Sequence, residues 1–297
     1  MRVLVIGGTG FIGSQIATHF IKNGYEVLSF SRNLPKKNII KEVNYIKGDL
    51  LEKKKLNQIT NDIDLIFHCG SSSTPAKIDS DADEEVNAKN IVEASLKNNV
   101  KKLIFFSSGG AIYGNKSSEA SKETDITKPV SQYGKTKLKI EEYLLEKFKN
   151  NKEKILILRP SNPYGLSLRN NKKQGVIPIF LRSISMNRPI EVYGDGSIIK
   201  DYIHINDLVE IIFNLSTSSN YGIYNIGSGI KTSINELITI LFKVTKCKSE
   251  IIYKEPLHDD VNFSICTDKV FSDQSHRDLI NLEDGIFKLW KDFYHKT

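Results

Sequence analysis

Residues 3–13 decide the fold, and they read VLVIGGTGFIG. Four apolar residues predict a short buried strand, and the periodicity of Gly10 to Asn23 predicts a helix that begins inside the glycine-rich turn. The turn satisfies two versions of one pattern: G-x-G-x-x-G with Gly8, Gly10 and Gly13, and G-x-x-G-x-x-G with Gly7, Gly10 and Gly13. Such glycines permit a tight turn, a close approach of backbone to pyrophosphate, and tight packing of helix on strand. Because the turn lies between an apolar strand and a helix, it predicts a dinucleotide-binding site.

Strand and helix signals continue to alternate downstream of this stretch. Apolar strands that alternate with helices specify βαβ units and a parallel sheet covered on both faces. The sequence therefore predicts an α/β fold with a Rossmann-type doubly wound parallel sheet. The predicted strands are 27–30, 44–46, 65–68, 103–106 and 155–158, and the predicted helices are 83–98 and 133–150.

The rhythm changes after Arg159, where turn-rich segments separate short strands from predicted helices at 177–186, 206–215 and 234–242. We interpret residues 1–160 as an NAD(P)-binding Rossmann domain and residues 161–297 as a smaller α/β substrate-binding domain. Some elements of the second part are expected to return to the central sheet. A chain of 297 residues is long enough for one large domain or two closely packed ones.

Bulk composition argues against several other classes of protein. The formal net charge is +7, but the basic residues lie in separate segments, often beside acids. This distribution predicts a solvated lysine-rich surface and no nucleic-acid partner. The three cysteines are an odd number without metal-ligand spacing, which argues against a disulfide framework and a metal site. No apolar run approaches the ~20 residues that cross a bilayer, and glycines interrupt any signal-peptide core. We expect a cytoplasmic protein with no membrane partner.

Ser31-Arg32 directly follows the second predicted strand. An NAD site would carry an acid there, which holds the 2′-hydroxyl of the adenosine ribose. A guanidinium suits a 2′-phosphate instead, so this ending favours NADP(H). NAD remains the alternative if Arg32 points to solvent or stacks beside the adenine. Asp49, followed by Leu50, closes the third strand and is placed to accept a hydrogen bond from the adenine amino group.

Residues 133–137 read YGKTK and contain the pattern Tyr-x-x-x-Lys at the start of a predicted helix. A spacing of four places Tyr133 and Lys137 on one helix face. A phenol has an ordinary pKa near ~10, and a neighbouring ammonium favours its phenolate form. Tyr133 is the candidate for exchanging a proton with a hydroxyl or carbonyl group while hydride moves to or from a nicotinamide ring. The candidate cofactor-binding residues are Gly7, Gly10, Phe11, Ile12, Gly13, Ser31, Arg32, Asp49, Leu50, Tyr133 and Lys137.

Together these motifs resemble the extended short-chain dehydrogenase/reductase family, and within it the nucleotide-sugar epimerases, dehydratases and 4-ketoreductases. The resemblance covers almost the whole chain and rests on GGTGFIG (7–13), GDL (48–50), Asn87 in EVNAKNIVEAS, SSGGAIYG (107–114), YGKTK (133–137), RPSNPYG (159–165) and YGDGSIIKDYIHINDL (193–208). It implies a nucleotide-sugar substrate and a homodimer formed through the helices 83–98 and 133–150. It also implies a role in surface-polysaccharide biosynthesis.

The chain departs from the family pattern where a Ser or Thr is expected four residues before Tyr113. Gly109 stands there, and Ala111 stands where related sequences with a Gly-Gly pair carry Thr. Losing a group that polarises the sugar carbonyl costs ~10²–10³ in rate, so an active enzyme needs a substitute. Ser108 is the favoured candidate, and Ser107 is the alternative.

The resemblance also implies substrate-binding roles for Ser108, Asn162 and Lys200. Asn162 matches a position that contacts the substrate diphosphate, although an Asn before Pro also suits a plain turn. Lys200 replaces the usual Arg before Asp-Tyr-Ile-His. Leu257, with His258 beside it, stands where a diphosphate-binding Arg is expected.

Several further positions can also be interpreted. The segment 175–178 resembles the one that passes over the nucleotide base, and Tyr193 and Gly194 resemble the residues that flank the base. We interpret His68 and His204 as packed structural residues, and Asp207 as a helix cap or strut at the start of a helix.

The leading functional hypothesis is a reductase that uses NADPH to reduce the 4-keto group of a nucleotide-linked 6-deoxyhexulose, for example dTDP-4-dehydro-6-deoxyglucose. The ending Ser31-Arg32 supports it, because a reductase consumes its cofactor in each turnover and exchangeable NADPH suits that use. A dehydratase is disfavoured because Gly110 and Ala111 replace the Asp-Glu pair of that group. The alternative is a UDP-hexose 4-epimerase. A catalytically weakened nucleotide-binding regulatory protein is the third hypothesis, and the missing hydroxyl at Gly109 is its one argument.

Overall fold

The computed structural model describes residues 1–70, 81–115, 119–166, 175–257, 261–272 and 278–293. Its strands are β1 (Arg2–Ile6), β2 (Glu26–Ser31), β3 (Asn44–Lys47), β4 (Leu65–His68), β5 (Lys102–Phe106), β6 (Ile155–Pro160), β7 (Asn162–Tyr164), β8 (Ile190–Tyr193), β9 (Ile199–Lys200), β10 (Tyr202–His204), β11 (Gly222–Ile226), β12 (Thr232–Ser233) and β13 (Ile251–Lys254). Within the described ranges, seven of them form one parallel sheet in the order β11-β6-β5-β4-β1-β2-β3. The predicted parallel α/β sheet is therefore confirmed.

Helices cover both faces of this sheet. They are α1 (Phe11–Lys22), α2 (Lys53–Ile59), α3 (Asp81–Lys97), α4 (Gly109–Ile112), α5 (Gln132–Lys147), α6 (Val176–Ser185), α7 (Ile205–Thr217), α8 (Ile234–Thr245), α9 (Asp268–Phe271) and α10 (Leu282–Phe293). Side chains alternate along a strand, so Val3 and Val5 of β1 pack with α1 and α7, whereas Leu4 and Ile6 pack with α2, α3 and α5. Burial on both faces explains why the strands read as continuous apolar runs.

The order of the strands reverses between β1 and β4. From β1 the chain moves outward through β2 to β3, and it then returns to β4 on the other side of β1. Loops that leave two neighbouring parallel strands in opposite directions open a crevice at the carboxyl ends of those strands, where open α/β sheets bind their ligands. The glycine-rich turn after β1 lies at this crevice.

A second apolar core lies in the carboxyl-terminal part of the chain. It is formed mainly by α6, α8, α10 and strand β8, and it includes Leu181, Ile190, Leu237 and Ile286. The strand β11 does not belong to it: that strand pairs with β6 at the edge of the central sheet. Outside the central sheet, β8 pairs with β13, β7 with β10, and β9 with β12.

Some predicted boundaries were wrong. The helix predicted over 133–150 ends at Lys147, because Phe148 leaves the helix and buries its ring in the core. The helix predicted over 206–215 spans Ile205–Thr217, and His204 caps it by accepting a hydrogen bond from the Asn206 N–H. Asp207 acts as a strut instead, since its Oδ2 accepts a 2.9 Å hydrogen bond from the Ile280 N–H. The helix α2 was not predicted, because it buries only Leu56 and its apolar periodicity is weak.

Candidate active site

Close backbone contacts within and around the glycine-rich turn leave no room for side chains. Gly7 has φ +81°, and a Cβ there would lie 2.7 Å from the Cα of Gly70, in the loop after β4. A Cβ at Gly13 would lie 2.5 Å from the Gly7 carbonyl oxygen. The Gly10 N–H donates to that same carbonyl at 2.8 Å. A side chain at Gly13 would push α1 away from the turn, and one at Gly7 would push away the loop after β4, so both close approaches require glycine.

The start of α1 presents unpaired backbone donors. Its N-cap is Gly10, which supplies no capping side chain, and its first turn contains no acid. The first intrahelical bond runs from the Ser14 N–H to the Gly10 carbonyl. Phe11, Ile12 and Gly13 precede this bond, so their N–H groups lie at the positive end of the helix dipole without helical partners. This cradle fits the pyrophosphate of a nicotinamide dinucleotide.

The predicted adenosine-binding residues lie together at one edge of the cradle. Ser31 is half-buried at the end of β2, and its Oγ accepts a 3.4 Å hydrogen bond from the Thr9 hydroxyl of the glycine-rich turn. Arg32 follows and is exposed. Asp49 lies just beyond the neighbouring strand β3, and its Oδ1 accepts a 3.0 Å hydrogen bond from the Leu51 N–H. The carbonyl of Leu50 accepts from the Asn90 amide at 3.0 Å, which ties this loop to α3.

Tyr133 and Lys137 lie on the first turns of α5, which begins at a capped end. The Ser131 hydroxyl accepts a 3.1 Å hydrogen bond from the Gly134 N–H and so fixes where the helix starts. The Lys137 ammonium lies 5.6 Å from the centre of the Tyr133 ring and 5.1 Å from that of Phe105 in β5. The spacing of four therefore brings both side chains to the inner face of α5, as predicted.

Sequence reasoning missed the charged partner of Lys137. Glu84 on α3 accepts a hydrogen bond of 2.5 Å from Lys137 Nζ, and the two side chains are 1% and 4% exposed. Glu84 belongs to a run of acids in the first turn of α3, where acids are ordinarily solvated and favoured by the helix dipole. The one signal in the sequence was Lys137 itself, because a lysine on the inner face of a helix needs a partner.

Burial and these two charges act on the Tyr133 phenol in opposite directions. Burial has the largest effect and raises the pKa of Tyr133. Lys137 and a hydrogen bond from Ser108 lower this pKa, whereas Glu84 raises it, and the net direction is upward. For Lys137, burial lowers the pKa, but Tyr133 and the Glu84 carboxylate outweigh burial and raise it. His68, at the end of β4, has its pKa lowered to about 4 by burial and by Lys137. The site therefore holds a phenol, an ammonium, a carboxylate and a neutral imidazole near neutral pH.

The two candidate serines lie in different surroundings. Ser108 is the N-cap of α4, but its hydroxyl makes no capping hydrogen bond and instead acts on the Tyr133 phenol, whose pKa it lowers. Ser107 is buried, and its Oγ has no hydrogen-bond partner among the described residues. A Cβ at Gly109 would lie 3.0 Å from the Arg159 carbonyl oxygen and 3.1 Å from that of Pro160. Glycine at this position therefore allows α4 to pack closely on β6.

The predicted substrate residues lie on the carboxyl-terminal side of the crevice. Asn162 begins β7, and its backbone N–H donates to the Asp201 carbonyl at 3.0 Å. Lys200 Nζ donates to the Val261 carbonyl at 2.9 Å and lies 5.5 Å from the centre of the Phe263 ring. That ring packs against Gly110, where a Cβ would lie 2.8 Å from it. Lys200 is thus connected through one aromatic ring to α4, whose N-cap is Ser108.

A cavity of about 650 Å³ adjoins this side of the molecule. Its walls include two aromatic rings, those of Tyr193 and Tyr253, together with Ile198, Lys254 and Leu257. Tyr193 and Gly194, which are predicted to flank a nucleotide base, both line it. Leu257 lies on the same wall, whereas His258 falls outside the described residues.

The two buried histidines make structural contacts. His204 caps α7, its ring packs edge-on against Tyr164 at 5.4 Å, and burial lowers its pKa to about 4. The His68 ring packs at 5.5 Å from that of Phe105. None of the helices in the described part of the chain has the length and apolar character needed to cross a membrane.

Comparison of the sequence with known proteins gives two kinds of match. The profile of the NAD dependent epimerase/dehydratase family matches residues 3–227. A dTDP-4-dehydro-6-deoxyglucose reductase from Escherichia coli is 36% identical, and the alignment covers 97% of this chain and 96% of that protein.

Solved structures give matches over the full length. A UDP-glucose 4-epimerase from Thermotoga maritima, determined with UDP-glucose, has a TM-score of 0.91 and 28% identity, with 99% of this chain and 98% of that one covered. A UDP-glucose 4-epimerase from Thermus thermophilus, determined with NAD, has a TM-score of 0.89 and 26% identity, with 100% of both chains covered. The predicted resemblance and the Rossmann-type fold are both confirmed.

Proposed function

Since the chain belongs to the NAD dependent epimerase/dehydratase family, we propose that it is an NADPH-dependent reductase of the 4-keto group of a nucleotide-linked 6-deoxyhexose. Its relatives are nucleotide-sugar reductases and epimerases, and the chain is an enzyme of this class. dTDP-4-dehydro-6-deoxyglucose is the substrate we assign to it, by analogy with the reductase that is 36% identical over 97% of the chain.

The residues at the end of β2 support the choice of a reductase. Ser31 lies beside the glycine-rich turn and Arg32 is exposed next to it, so this end offers a cation and no carboxylate to the adenosine ribose. A planar guanidinium recognises a phosphate through paired, charge-assisted hydrogen bonds. A cofactor with a 2′-phosphate suits a reaction that consumes one reduced cofactor in each turnover.

The residues around Tyr133 supply the rest of the chemistry. Tyr133 donates its proton to the carbonyl oxygen, and Ser108 donates a hydrogen bond to the same oxygen as negative charge develops on it. Lys137 holds the ribose next to the nicotinamide with the donors that Glu84 leaves available. The bound reduced nicotinamide would supply the hydride. Asn162 and Lys200 bind the diphosphate of the substrate, and the cavity lined by Tyr193 takes its base.

A UDP-hexose 4-epimerase is the second candidate. The observation that favours it is the full-length likeness to the Thermotoga maritima and Thermus thermophilus UDP-glucose 4-epimerases, one determined with UDP-glucose and the other with NAD. An epimerase removes and returns the same hydride, so it retains its cofactor through the cycle. The two functions therefore differ in whether cofactor is consumed.

Purification followed by identification of the cofactor separates the two functions. We expect protein without tightly bound cofactor, which oxidises one NADPH for each dTDP-4-dehydro-6-deoxyglucose reduced. Protein that retains NAD and interconverts UDP-glucose with UDP-galactose without net consumption of cofactor would overturn the reductase. Protein that binds nucleotide sugar but turns over neither substrate would favour the regulatory hypothesis.

Replacement of Arg32 tests the cofactor preference directly. Arg32→Asp removes the bonds to the 2′-phosphate and adds a repelling carboxylate, so the ratio of affinities for NADP(H) and NAD(H) should fall by about 10²-fold. Lys36→Asp makes the same charge reversal at another exposed residue of this loop and is the matched control. Equal or tighter binding of NAD(H) by the wild-type protein would contradict the assignment of Arg32.

We also propose a division of labour and an assembly. Residues 1–160 bind the dinucleotide, and residues 161–297, apart from β11, bind the nucleotide sugar.

A homodimer would form through α3 and α5, where Val86, Leu96 and Leu145 are each at least 40% exposed. Light scattering tests this assembly: about twice the 33.6 kDa chain mass supports it, and the mass of one chain refutes it.

A further inference from the structure

Glu84 lies at the centre of the site, and its role toward Tyr133 goes beyond that of a salt-bridge partner. Its carboxylate is 1% exposed and accepts a 2.5 Å hydrogen bond from Lys137 Nζ. The pair joins the first turn of α3 to the second turn of α5. This is the one hydrogen bond that the Lys137 ammonium makes with the described residues, so two of its three donors are left for a ligand.

The groups that face this pair come from several elements. Tyr133 and Lys137 lie on α5, His68 and Cys69 lie at the end of β4 and just after it, and Ser108 lies before α4. His68 is neutral, because burial lowers its pKa to about 4, and burial raises the pKa of the Cys69 thiol. Among these groups, Lys137 and Glu84 are therefore the two that carry charge near neutral pH.

We propose that Glu84 is a positioning residue that holds the Lys137 ammonium and, through it, keeps the Tyr133 phenol protonated, so that the site is set to give a proton to a carbonyl oxygen. This inference rests on the proposed reductase function, because only the reducing direction begins with a protonated tyrosine. An epimerase or a dehydrogenase must first remove a proton from a sugar hydroxyl and needs the phenolate.

The charges around Tyr133 favour its protonated form. An ammonium alone beside a phenol stabilises the phenolate. A carboxylate bonded to that ammonium cancels much of its field, and burial further penalises a negative phenolate. During reduction, a hydride that the bound reduced nicotinamide would supply adds to the carbonyl carbon, and the π electrons move to the oxygen. A new O–H bond forms on that oxygen as the phenolic O–H bond breaks, and a proton taken up from solvent restores the phenol.

The test reads the protonation of Tyr133 without substrate. The twelve tyrosines are labelled with ¹³C at Cζ, and the signal of Tyr133 is identified by its absence in Tyr133→Phe. We expect wild-type Tyr133 to remain a phenol through about pH 8.5, since its ordinary pKa is near ~10. In Glu84→Gln the midpoint should move down by about 1–2 pH units, because a unit charge at short range shifts ionisation by that amount.

Glu85→Gln is the matched control. It removes the same charge from the adjacent position of α3, but Glu85 pairs with the exposed Lys139 at 3.3 Å outside the site. Its midpoint should equal that of the wild type. Equal midpoints in Glu84→Gln and wild type would overturn the proposal. Should Glu84→Gln fail to fold, the wild-type titration still decides, because ionisation of Tyr133 below about pH 8.5 overturns it as well.

Kinetics separate this inference from the proposed function. In Glu84→Gln the kcat for reduction should begin to fall about 1–2 pH units lower than in wild type, with KM little changed. Wild-type protein that reduces no 4-keto sugar would refute the proposed function, while the shift in the NMR midpoint would still support the role of Glu84. Reduction by the wild type without any shift in the midpoint would refute the role of Glu84 alone.

Discussion

Two buried ion pairs project from α5, and they differ in what their charges do. Lys137 pairs with Glu84 of α3, and one turn further on Glu141 pairs with Arg159 of β6. In both pairs the cation is 4% exposed and the carboxylate 1% exposed, and both shortest contacts are 2.5 Å. Burial, charge and distance are therefore the same, and they do not distinguish the pair in the proposed catalytic site from the other.

The difference lies in how completely the hydrogen bonds are used. The Arg159 guanidinium donates to both oxygens of Glu141 and, through its third nitrogen, to the Tyr113 hydroxyl at 2.7 Å. That hydroxyl donates in turn to the Asn225 side chain at 2.7 Å. Every member of this network bonds another member, which makes it a rigid connection between α5, β6 and β11.

The Lys137 ammonium makes fewer hydrogen bonds than the Arg159 guanidinium does. Lys137 donates one hydrogen bond to the described residues, and its remaining faces meet the rings of Phe105 and Tyr133. An ammonium with two unused donors at the crevice can bind ribose hydroxyls and influence a neighbouring phenol. The two pairs therefore differ in how far their cations are hydrogen-bonded: each of the three nitrogens of Arg159 donates to a protein group, whereas Lys137 keeps two N–H donors for a ligand.

The largest effect on kcat is expected at Tyr133, beside the Lys137–Glu84 pair. Tyr133→Phe should lower kcat by ~10³, because the ring still packs but the proton donor is lost, and proton transfer contributes about 10²–10⁴. Affinity for nucleotide should stay close to wild type. Steady-state turnover and nucleotide titration measure the two quantities. Retention of more than about a tenth of the activity would exclude Tyr133 as the proton donor.

The second prediction concerns a variant that breaks the Arg159–Glu141 ion pair. Arg159→Met leaves Glu141 buried without its partner, and the free energy of unfolding should fall by about 3–5 kcal/mol. The double variant Arg159→Met/Glu141→Leu should recover most of this loss, because it removes the second charge as well. Urea unfolding measures both variants, and a loss below about 1 kcal/mol in the single variant would contradict the structural role.

The smallest effect on kcat is expected at the neighbouring serines Ser107 and Ser108. Ser108→Ala should lower kcat for reduction by about 10²-fold, because the carbonyl oxygen loses a hydrogen-bond donor. Ser107→Ala is the matched control: it removes the same hydroxyl one residue away, at a buried position, and its effect on kcat should be milder. The opposite ranking would transfer the role to Ser107. No effect in either variant would leave a backbone N–H near Gly109 as the donor.

Much of this site was predictable because its parts are local in sequence. The glycines of residues 7–13 follow from the steric needs of a strand-to-helix turn, and the spacing of Tyr133 and Lys137 follows from the helix period. Glu84 was not predictable in the same way. It lies 53 residues before Lys137, and an acid in the first turn of a helix ordinarily faces solvent. Gly109 was visible only as a missing hydroxyl, whereas the structure shows that the Arg159 and Pro160 carbonyls leave little room for a Cβ.

Four features could be derived from the order of residues alone: the parallel α/β sheet, the dinucleotide cradle, the Tyr-x-x-x-Lys pair and the resemblance to nucleotide-sugar enzymes. These depend on periodicity and short spacings, which a strand or helix converts directly into geometry. The folded structure was needed to show that Glu84 pairs with Lys137, that Ser108 acts on Tyr133, and that Arg159, Glu141 and Tyr113 form one network. Each of these contacts joins elements far apart in the chain, and their distances are set by how the helices pack on the sheet.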